Sequence, residues 1–349
     1  MEIYLKIKSI LKSDKKNLSK INNFLKKQGF KKDIIDDFGV IFSENQEIIG
    51  TVGRYRNNLK CLAIKKEYQK QNISNQLITY MIEKIYQKGF NEVFVFTKND
   101  YFFIFQNLGF ELLYGNDNFG FFTNRNDLFL KYINYLRSKT KISHNSGVIV
   151  LNANPFTKGH EYLIKKSLQI SDIIYLIVVK EEGSFFDYQK RLEMVKLGVK
   201  KIKNVIVLEG SNYLISKNVF PSYFLPSTKE VIEQQTILDT YIFVNYIAKV
   251  LKVKKRFVGE EPYSMTTNQY NNTMKNILKN NNLELIIFPR LKFENKYISA
   301  TQVRKLFVLG QFNKLSSLIP KTTLNYLKKL DYLEYQNNIY LIKLVDKQY

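Results

Sequence analysis

The sequence contains one cysteine, two histidines and no tryptophan in 349 residues. A single cysteine, Cys61, excludes a disulfide framework and a cysteine-based metal site, and two histidines are too few for a histidine-rich metal centre. No apolar run approaches the roughly 18 residues that cross a bilayer. The first residues also lack the apolar stretch and small-residue cleavage site of a signal peptide. We therefore expect a soluble, cytoplasmic protein without a membrane partner.

Acidic residues are scarce relative to basic ones: 31 Asp and Glu oppose 54 Lys and Arg, which gives a formal net charge of +23. A strongly basic chain suggests nucleic-acid binding. The lysines, however, are scattered along the whole sequence, with only short runs such as 252–256. This pattern favours a general enrichment in lysine together with binding of small anionic ligands, and we expect no nucleic-acid partner.

The length suits two domains. The first part has a mixed α/β pattern, with strands predicted over 36–42 and 47–52 and a helix over 73–87 that ends at Gly89. A helix over 126–139 precedes a polar stretch without periodicity, where we place the boundary. The predicted domains are therefore residues 1–140 and residues 145–349.

The second part alternates strands and helices. Strands are predicted over 147–152, 173–179, 205–208, 256–259 and 283–288, with helices over 159–170, 188–201, 236–251 and 299–309. This order predicts an α/β fold with a doubly wound parallel sheet. Ligands of such sheets bind at the carboxyl ends of the strands.

A loop with candidate binding and catalytic residues follows the first of these strands. Its candidate nucleotide-binding residues are Asn152, Asn154, Pro155, Phe156 and Gly159, and its candidate catalytic residues are Thr157, Lys158 and His160. The next helix directs its free N–H groups and positive dipole end at the loop. A phosphate can approach the backbone at Gly159 because no side chain intervenes. Thr157 and His160 supply hydrogen-bond donors, and Lys158 supplies a cation.

A second candidate site opens the helix predicted after the fifth strand. Ser299 is a suitable N-cap, Thr301 follows it, and Arg304 lies five residues after Ser299. A cap hydroxyl, free amides and a guanidinium together suit the β- and γ-phosphates of a nucleotide. On these elements and in this order, the two segments predict one triphosphate site.

The two segments resemble the T/H-x-G-H and I-S-x-[ST]-x-x-R signatures of the nucleotidyltransferase superfamily. The resemblance implies attack on the α-phosphate of ATP with release of pyrophosphate, whose charge His160, Lys158 and Arg304 would stabilise. Mg²⁺ is expected to bridge phosphate oxygens, although the sequence shows no dedicated metal cage.

Two further stretches, 220–225 and 256–263, resemble the citrate lyase ligase family, as does the loop 152–160. The resemblance extends over nearly the whole chain. The resemblance implies that ATP and acetate form acetyl-adenylate and pyrophosphate. The acetyl group would then pass to the thiol of the CoA-like prosthetic group on the citrate lyase acyl carrier protein, with loss of AMP. Gly259, Glu260 and Glu261 are further candidate ATP-binding residues, and Arg191 is a candidate partner of phosphate or of Asp187.

The first domain resembles the GNAT acetyltransferases, whose Q/R-x-x-G-x-G/A loop binds the pyrophosphate of acetyl-CoA. The matching residues are Gln69, Asn72 and Ser74, which we expect to hold the CoA-like group. A docking or purely structural role for this α+β domain is the other interpretation. Cys61 lies in the middle of a predicted strand, so we expect it to be a buried apolar residue.

Two other functions remain open. A nucleotidyltransferase of a cofactor pathway, such as a phosphopantetheine or mononucleotide adenylyltransferase, would use the same site but leaves the GNAT-like half unexplained. An RNA-binding module would show steep salt dependence and no ATP turnover. The sequence does not distinguish acetate from another short acid.

Overall fold

The computed structural model describes residues 6–69, 71–181, 183–214, 220, 223, 225, 227–260 and 265–346, without the side chains of residues 228 and 265–268. Contacts divide the chain into two compact units. Unit 1 comprises residues 1–131 and 217–235, and unit 2 comprises residues 132–216 and 236–349. The predicted domain limits at 140 and 145 stay a prediction, but the sequence did not indicate that residues 217–235 join unit 1.

Unit 1 is built on a seven-stranded sheet with the order β1-β2-β3-β4-β5-β7-β6. Its strands are β1 Ile7–Leu11, β2 Asp37–Phe42, β3 Ile48–Tyr55, β4 Asn58–Ile64, β5 Phe94–Thr97, β6 Glu111–Gly115 and β7 Gly120–Thr123. All neighbours are antiparallel except β4 and β5, which are parallel. The predicted strands 36–42 and 47–52 are confirmed within two or three residues.

Helices cover both faces of this sheet. They are α1 Lys15–Lys27, α2 Ile73–Gln87 and α3 Phe102–Asn107, and α4 Asn126–Lys139 follows β7. The helix predicted over 73–87 is confirmed with those limits, because its apolar spacing puts five side chains in the core. Gly89 follows it with φ +86°, as a left-handed C-terminal residue should.

Strands β4 and β5 pair only briefly. Their ladder consists of Asn58 with Phe94 and Leu59 with Val95. The register of β4 against β3 also shifts, and Cys61 takes a left-handed φ of +52°. The side chain of Cys61 is 2% exposed, so the expectation of a buried cysteine is confirmed.

The separated segment of unit 1 packs against β4 and β5. Phe220 lies edge-on to Phe96 and Phe119, with ring centroids 5.5 and 5.4 Å apart. Tyr223 is buried in the same core cluster as Cys61. Residues from the middle of the sequence therefore complete the core of unit 1.

Unit 2 contains a five-stranded sheet with the order β10-β9-β8-β11-β12, all parallel. Its strands are β8 Ser146–Leu151, β9 Ile173–Val178, β10 Val205–Glu209, β11 Lys255–Gly259 and β12 Glu284–Phe288. The predicted doubly wound sheet is confirmed. The strand order reverses between β8 and β11, and this switch point is where ligands of such sheets bind.

The helices of unit 2 flank the sheet and extend to the C-terminal region. They are α5 Lys158–Ser167, α6 Tyr188–Val199, α8 Lys249–Leu251, α9 Met265–Asn280, α10 Ala300–Val308, α11 Phe312–Leu315, α12 Lys321–Leu327, α13 Tyr332–Asn337 and α14 Ile339–Leu344, with a π-helical segment Phe243–Ala248 and a small hairpin of β13 Lys292–Phe293 and β14 Lys296–Tyr297. Helix α7 Thr228–Ile242 begins within the segment 217–235 of unit 1 and ends in unit 2. The helix predicted from 236 begins eight residues earlier. Among the described residues, no helix is long and apolar enough to cross a membrane.

Candidate active site

A capping box fixes the start of α5. The Thr157 hydroxyl accepts a hydrogen bond from the backbone N–H of His160 at 3.4 Å, and Nδ1 of His160 accepts from the backbone N–H of Thr157 at 3.0 Å. This arrangement locks the imidazole over the first helical turn. The ring of Phe156, which is fully buried, stacks on the imidazole with centroids 5.7 Å apart.

The hydrogen bonds of His160 also determine its tautomer. Because Nδ1 accepts a backbone hydrogen bond, the ring proton is assigned to Nε2. Burial, and then the charge of Arg290, lower the pKa of His160 from 6.5 to about 4. At neutral pH the imidazole is therefore an uncharged donor, which can offer an anion a hydrogen bond but no positive charge.

Two asparagine amides in the loop carry unused donors. The Oδ1 atom of Asn154 accepts from the backbone N–H of Phe186 at 3.0 Å, and Oδ1 of Asn152 accepts from Arg191 at 2.5 Å. The Nδ2 atoms of both asparagines are buried and have no hydrogen-bond partner among the described residues. Buried donors are normally satisfied, so these two atoms mark a place for a ligand or water with acceptor oxygens.

Arg191 organises the carboxyl ends of β8 and β9. Its guanidinium is fully buried and donates to the carbonyl oxygens of Asn152, Val179, Glu181 and Phe186, at 2.7, 3.0, 2.7 and 3.2 Å. The structure thus gives this side chain carbonyl partners in the protein. Asp187, the alternative partner considered from the sequence, caps α6 and pairs with Lys190.

Arg304 joins the two predicted site segments. Its Nη1 donates to the carbonyl oxygen of Asn154 at 2.6 Å, its Nε donates to that of Val345 at 2.9 Å, and its Nη2 donates to the Thr301 hydroxyl at 3.0 Å. The side chain is 2% exposed. Ser299 caps α10 as expected, accepting from the backbone N–H of Thr301 at 3.2 Å. The structure therefore brings the beginning of α10 to the loop after β8.

The first residues of α5 differ in how their N–H groups are used. The backbone N–H of Lys158 donates to the carbonyl oxygen of Leu318 at 3.0 Å, and its Nζ donates to that of Ser316 at 2.8 Å. No described residue accepts from the N–H of Gly159. Among the described residues, a Cβ placed on Gly159 would meet only the Thr157 hydroxyl, at 3.4 Å, and these residues leave the space beside this backbone open.

The described residues leave space at the end of β11 as well. A Cβ on Gly259 would have no neighbour among them within 4 Å. The backbone N–H of the next residue, Glu260, donates to the carbonyl oxygen of Phe288 at 2.8 Å, and the Glu260 side chain is exposed. Glu261, the third predicted residue here, lies outside the described residues. Within the described part of the chain, no group of three His, Cys, Asp or Glu side chains is arranged to hold a metal ion.

Arg290 was not identified from the sequence. It follows the end of β12 and is close enough to His160 to lower the pKa of the imidazole. Its position two residues after a predicted strand of a parallel sheet was the available signal.

The predicted coenzyme loop of unit 1 precedes α2. Asn72 has a left-handed φ of +58° and its Oδ1 accepts from Asn75. Gln69 is exposed, with Nε2 3.4 Å from the carbonyl oxygen of Ile64, and Ser74 is half-buried in the first helical turn. Binding of a CoA-like group here stays a prediction.

Comparisons with known proteins identify both units. The model of the citrate lyase ligase C-terminal domain matches residues 146–327, and the model of the acetyltransferase (GNAT) domain matches residues 11–119. The expected GNAT-like and nucleotidyltransferase-like folds are thereby confirmed.

The chain also matches individual relatives, two of them over more than nine tenths of its length. It is 32% identical over 337 residues to the citrate (pro-3S)-lyase ligase of Escherichia coli K12, which covers 94% of each chain. It is 33% identical over 326 residues to that of Haemophilus influenzae, covering 91% of this chain and 97% of the relative. A phosphopantetheine adenylyltransferase of Campylobacter hominis is 26% identical over 177 residues, 50% of this chain and 91% of the relative. On the strength of these matches, the chain belongs to the citrate lyase ligase family of enzymes.

Proposed function

We propose that the protein activates acetate with ATP and transfers the acetyl group to citrate lyase in the cytoplasm. An acetate oxygen attacks the α-phosphorus, forming acetyl-adenylate as pyrophosphate leaves. The thiolate of the CoA-like prosthetic group on the acyl carrier protein then attacks the acetyl carbon. A thioester forms, AMP leaves and the thiol proton passes to solvent.

The contact between Arg304 and Asn154 carries this proposal. It holds the beginnings of α5 and α10 at one switch point of a parallel sheet, where nucleotides bind. The Nδ2 atoms of Asn152 and Asn154, which have no hydrogen-bond partner in the described part of the chain, supply donors at the same loop. A site of this kind works by positioning and charge stabilisation rather than by covalent catalysis.

Each group has a role in this proposal. His160 donates from Nε2 to a phosphate oxygen, and the N–H of Gly159 donates from the start of α5. Nζ of Lys158 leaves the carbonyl oxygen of Ser316 and binds the pyrophosphate. Arg304 positions the loop from its buried location, and Ser299 and Thr301 present the start of α10 to the β- and γ-phosphates.

Gly259 and Glu260 lie at the end of β11, beside the switch point, where we place the nucleoside. Mg²⁺ would enter with ATP as its substrate complex, because phosphate oxygens are its preferred ligands. The named relatives act on citrate lyase, which supports the acyl carrier protein as the acceptor.

Exchange of pyrophosphate into ATP tests the first half-reaction. Exchange should depend on a carboxylic acid and be fastest with acetate in a panel of formate, propionate, butyrate and citrate. Acid-independent exchange, or none with any acid, would refute adenylate formation. The second half-reaction is tested by mass spectrometry of the carrier protein, which should gain one acetyl group only with ATP.

A second candidate is an adenylyltransferase of a cofactor pathway. The likeness of half of the chain to phosphopantetheine adenylyltransferase favours it. In that case phosphopantetheine rather than acetate would drive pyrophosphate release.

An RNA-binding function would instead give salt-sensitive RNA binding without turnover of ATP.

A further inference from the structure

Unit 1 contains a cavity of about 520 Å³ between α1, the segment after it, and strands β2 and β4. Neighbouring residues Val40 and Ile41 of β2 belong to different core clusters, one with α1 and one with α2. Since successive strand residues point to opposite faces, α1 and α2 cover opposite faces of the sheet. The cavity therefore lies on the face away from α2, whose first turn was predicted to bind the coenzyme.

The acidic groups of the cavity are neutralised by the protein. Asp33 pairs with the buried Lys60 at 2.9 Å, and Asp37 pairs with Arg54 at 2.6 Å. Asp36 also lies 3.5 Å from Arg54, and Nζ of Lys84 lies 3.5 Å from Asp37, so three cations oppose the three carboxylates. No acidic side chain that lines the cavity is therefore left to repel an anion.

The rim of the cavity is basic. Lys12, Lys26 and Lys32 line it, are exposed, and form no ion pair with any described residue. Asn22 and Asn23 of α1 add amide groups at the same rim. The interior is apolar, with Leu25, Phe38 and Cys61 among its lining residues.

We propose that this cavity holds the phosphopantetheine-type arm of the acyl carrier protein before transfer, with the phosphate on the rim lysines and the thiol end toward Cys61. The thiol leaves the cavity when it attacks the adenylate. The identity of the ligand rests on the proposed function. A phosphate, two amides and a short thiol-bearing chain match, in that order, a basic rim, two asparagines and an apolar interior. A volume of 520 Å³ is ordinary for a small-molecule site.

Cys61 would not compete with the incoming thiol. Burial, and then the negative charge of Asp33, raise the pKa of Cys61 to about 12. The side chain therefore stays a protonated, unreactive thiol at neutral pH.

Calorimetry on the full chain tests the site with two probes, phosphopantetheine and pantetheine, which differ only by the phosphate. The wild type should bind phosphopantetheine about tenfold more tightly, since three exposed charge pairs contribute modestly each. In the variant Lys12→Glu/Lys26→Glu/Lys32→Glu the two affinities should become nearly equal. A matched variant, Lys15→Glu/Lys20→Glu/Lys27→Glu, changes the same net charge on or beside α1 but away from the cavity, and should keep the tenfold preference.

Two results would overturn the proposal. One is no binding of either probe to the wild type at millimolar concentration. The other is a phosphate preference that survives in the rim variant but disappears in Ser74→Glu, which would place the arm at the start of α2. Acetate-dependent exchange measured on the same proteins reports separately on the ligase reaction, and the rim variant should retain it.

Discussion

Nη1 of Arg304 lies 2.6 Å from the carbonyl oxygen of Asn154, although the two residues are 150 positions apart in the sequence. A buried arginine that holds a loop carbonyl fixes the loop more rigidly than a mobile surface cation. The hydrogen bond consequently holds the loop after β8 against α10, and the geometry of the candidate site depends on it.

Replacing Arg304 by lysine should disturb both stability and activity. Lysine cannot reach Asn154, Val345 and Thr301 together, so buried carbonyl oxygens lose their donors. We expect the free energy of unfolding to fall by about 1–3 kcal/mol and acetate-dependent exchange to fall about tenfold or more. The neighbouring Lys305→Ala removes only an exposed pair with Asp346, and urea denaturation should show a change of less than about 0.5 kcal/mol. Equal effects of the two substitutions would contradict the role of Arg304 in holding the loop after β8.

Two substitutions of His160 separate its capping role from its proposed catalytic role. His160→Asn keeps an acceptor near the position of Nδ1 but loses the Nε2 donor. We expect this variant to remain folded while exchange falls on the order of a hundredfold. His160→Ala should lose the same activity and about 1 kcal/mol of stability through the cap. The exposed His144→Ala is the control and should change neither quantity, whereas full activity in His160→Asn would remove the imidazole from the mechanism.

The lowered pKa of His160 predicts how stability depends on pH. Its folded value of about 4 lies below the ordinary 6.5, so between these values the unfolded chain binds a proton that the folded chain does not. The free energy of unfolding should therefore fall as pH decreases from 6.5 toward 4. We expect this residue to account for about 1 kcal/mol between pH 7 and pH 5, after allowing for partial exposure of the ring. Denaturation at both pH values should show that His160→Asn lacks this component, and an identical pH dependence would disprove the assignment.

Gly198 of α6 makes room for the ring beneath His160. A Cβ at this position would lie 2.4 Å from a ring carbon of Phe156. Glycine to alanine in a helix normally stabilises by up to about 1 kcal/mol, but here overpacking should dominate and destabilise by about 1–3 kcal/mol. Exchange should also slow, because the displaced ring of Phe156 stacks on His160. In the double variant Gly198→Ala/Phe156→Leu, calorimetric melting should recover part of the loss, and a stabilised single variant would show that the ring moves without cost.

The sequence predicted the parts of the site that depend on local order. The apolar run of β8 and the cap at Ser299 each depend on a few neighbouring residues, and the structure has both. The cap that Thr157 forms on α5 was not predicted. The burial of Arg304 was not predictable, because its partners Asn154 and Val345 come from distant segments. Arg191 was likewise considered for phosphate or Asp187, whereas carbonyl groups of four residues surround it.

Unit 1 shows the same limit. The periodicity of α2 was sufficient to place it, whereas α1 and β1 were not predicted from the sequence. The cavity on the α1 face has no sequence signature, since its rim lysines resemble the many other lysines of the chain.

The position of Tyr223 has a consequence for dissecting this enzyme into pieces. Its ring packs edge-on against Phe30 with centroids 5.3 Å apart, and its carbonyl oxygen accepts from the backbone N–H of Lys31. A fragment cut near residue 140 would lack this ring and expose the surface around Cys61 to water, at a cost of about 3–5 kcal/mol. The acetyltransferase-like half is thus not a detachable module, and an evolutionary exchange of the two halves would have to carry the 220–225 segment along with it.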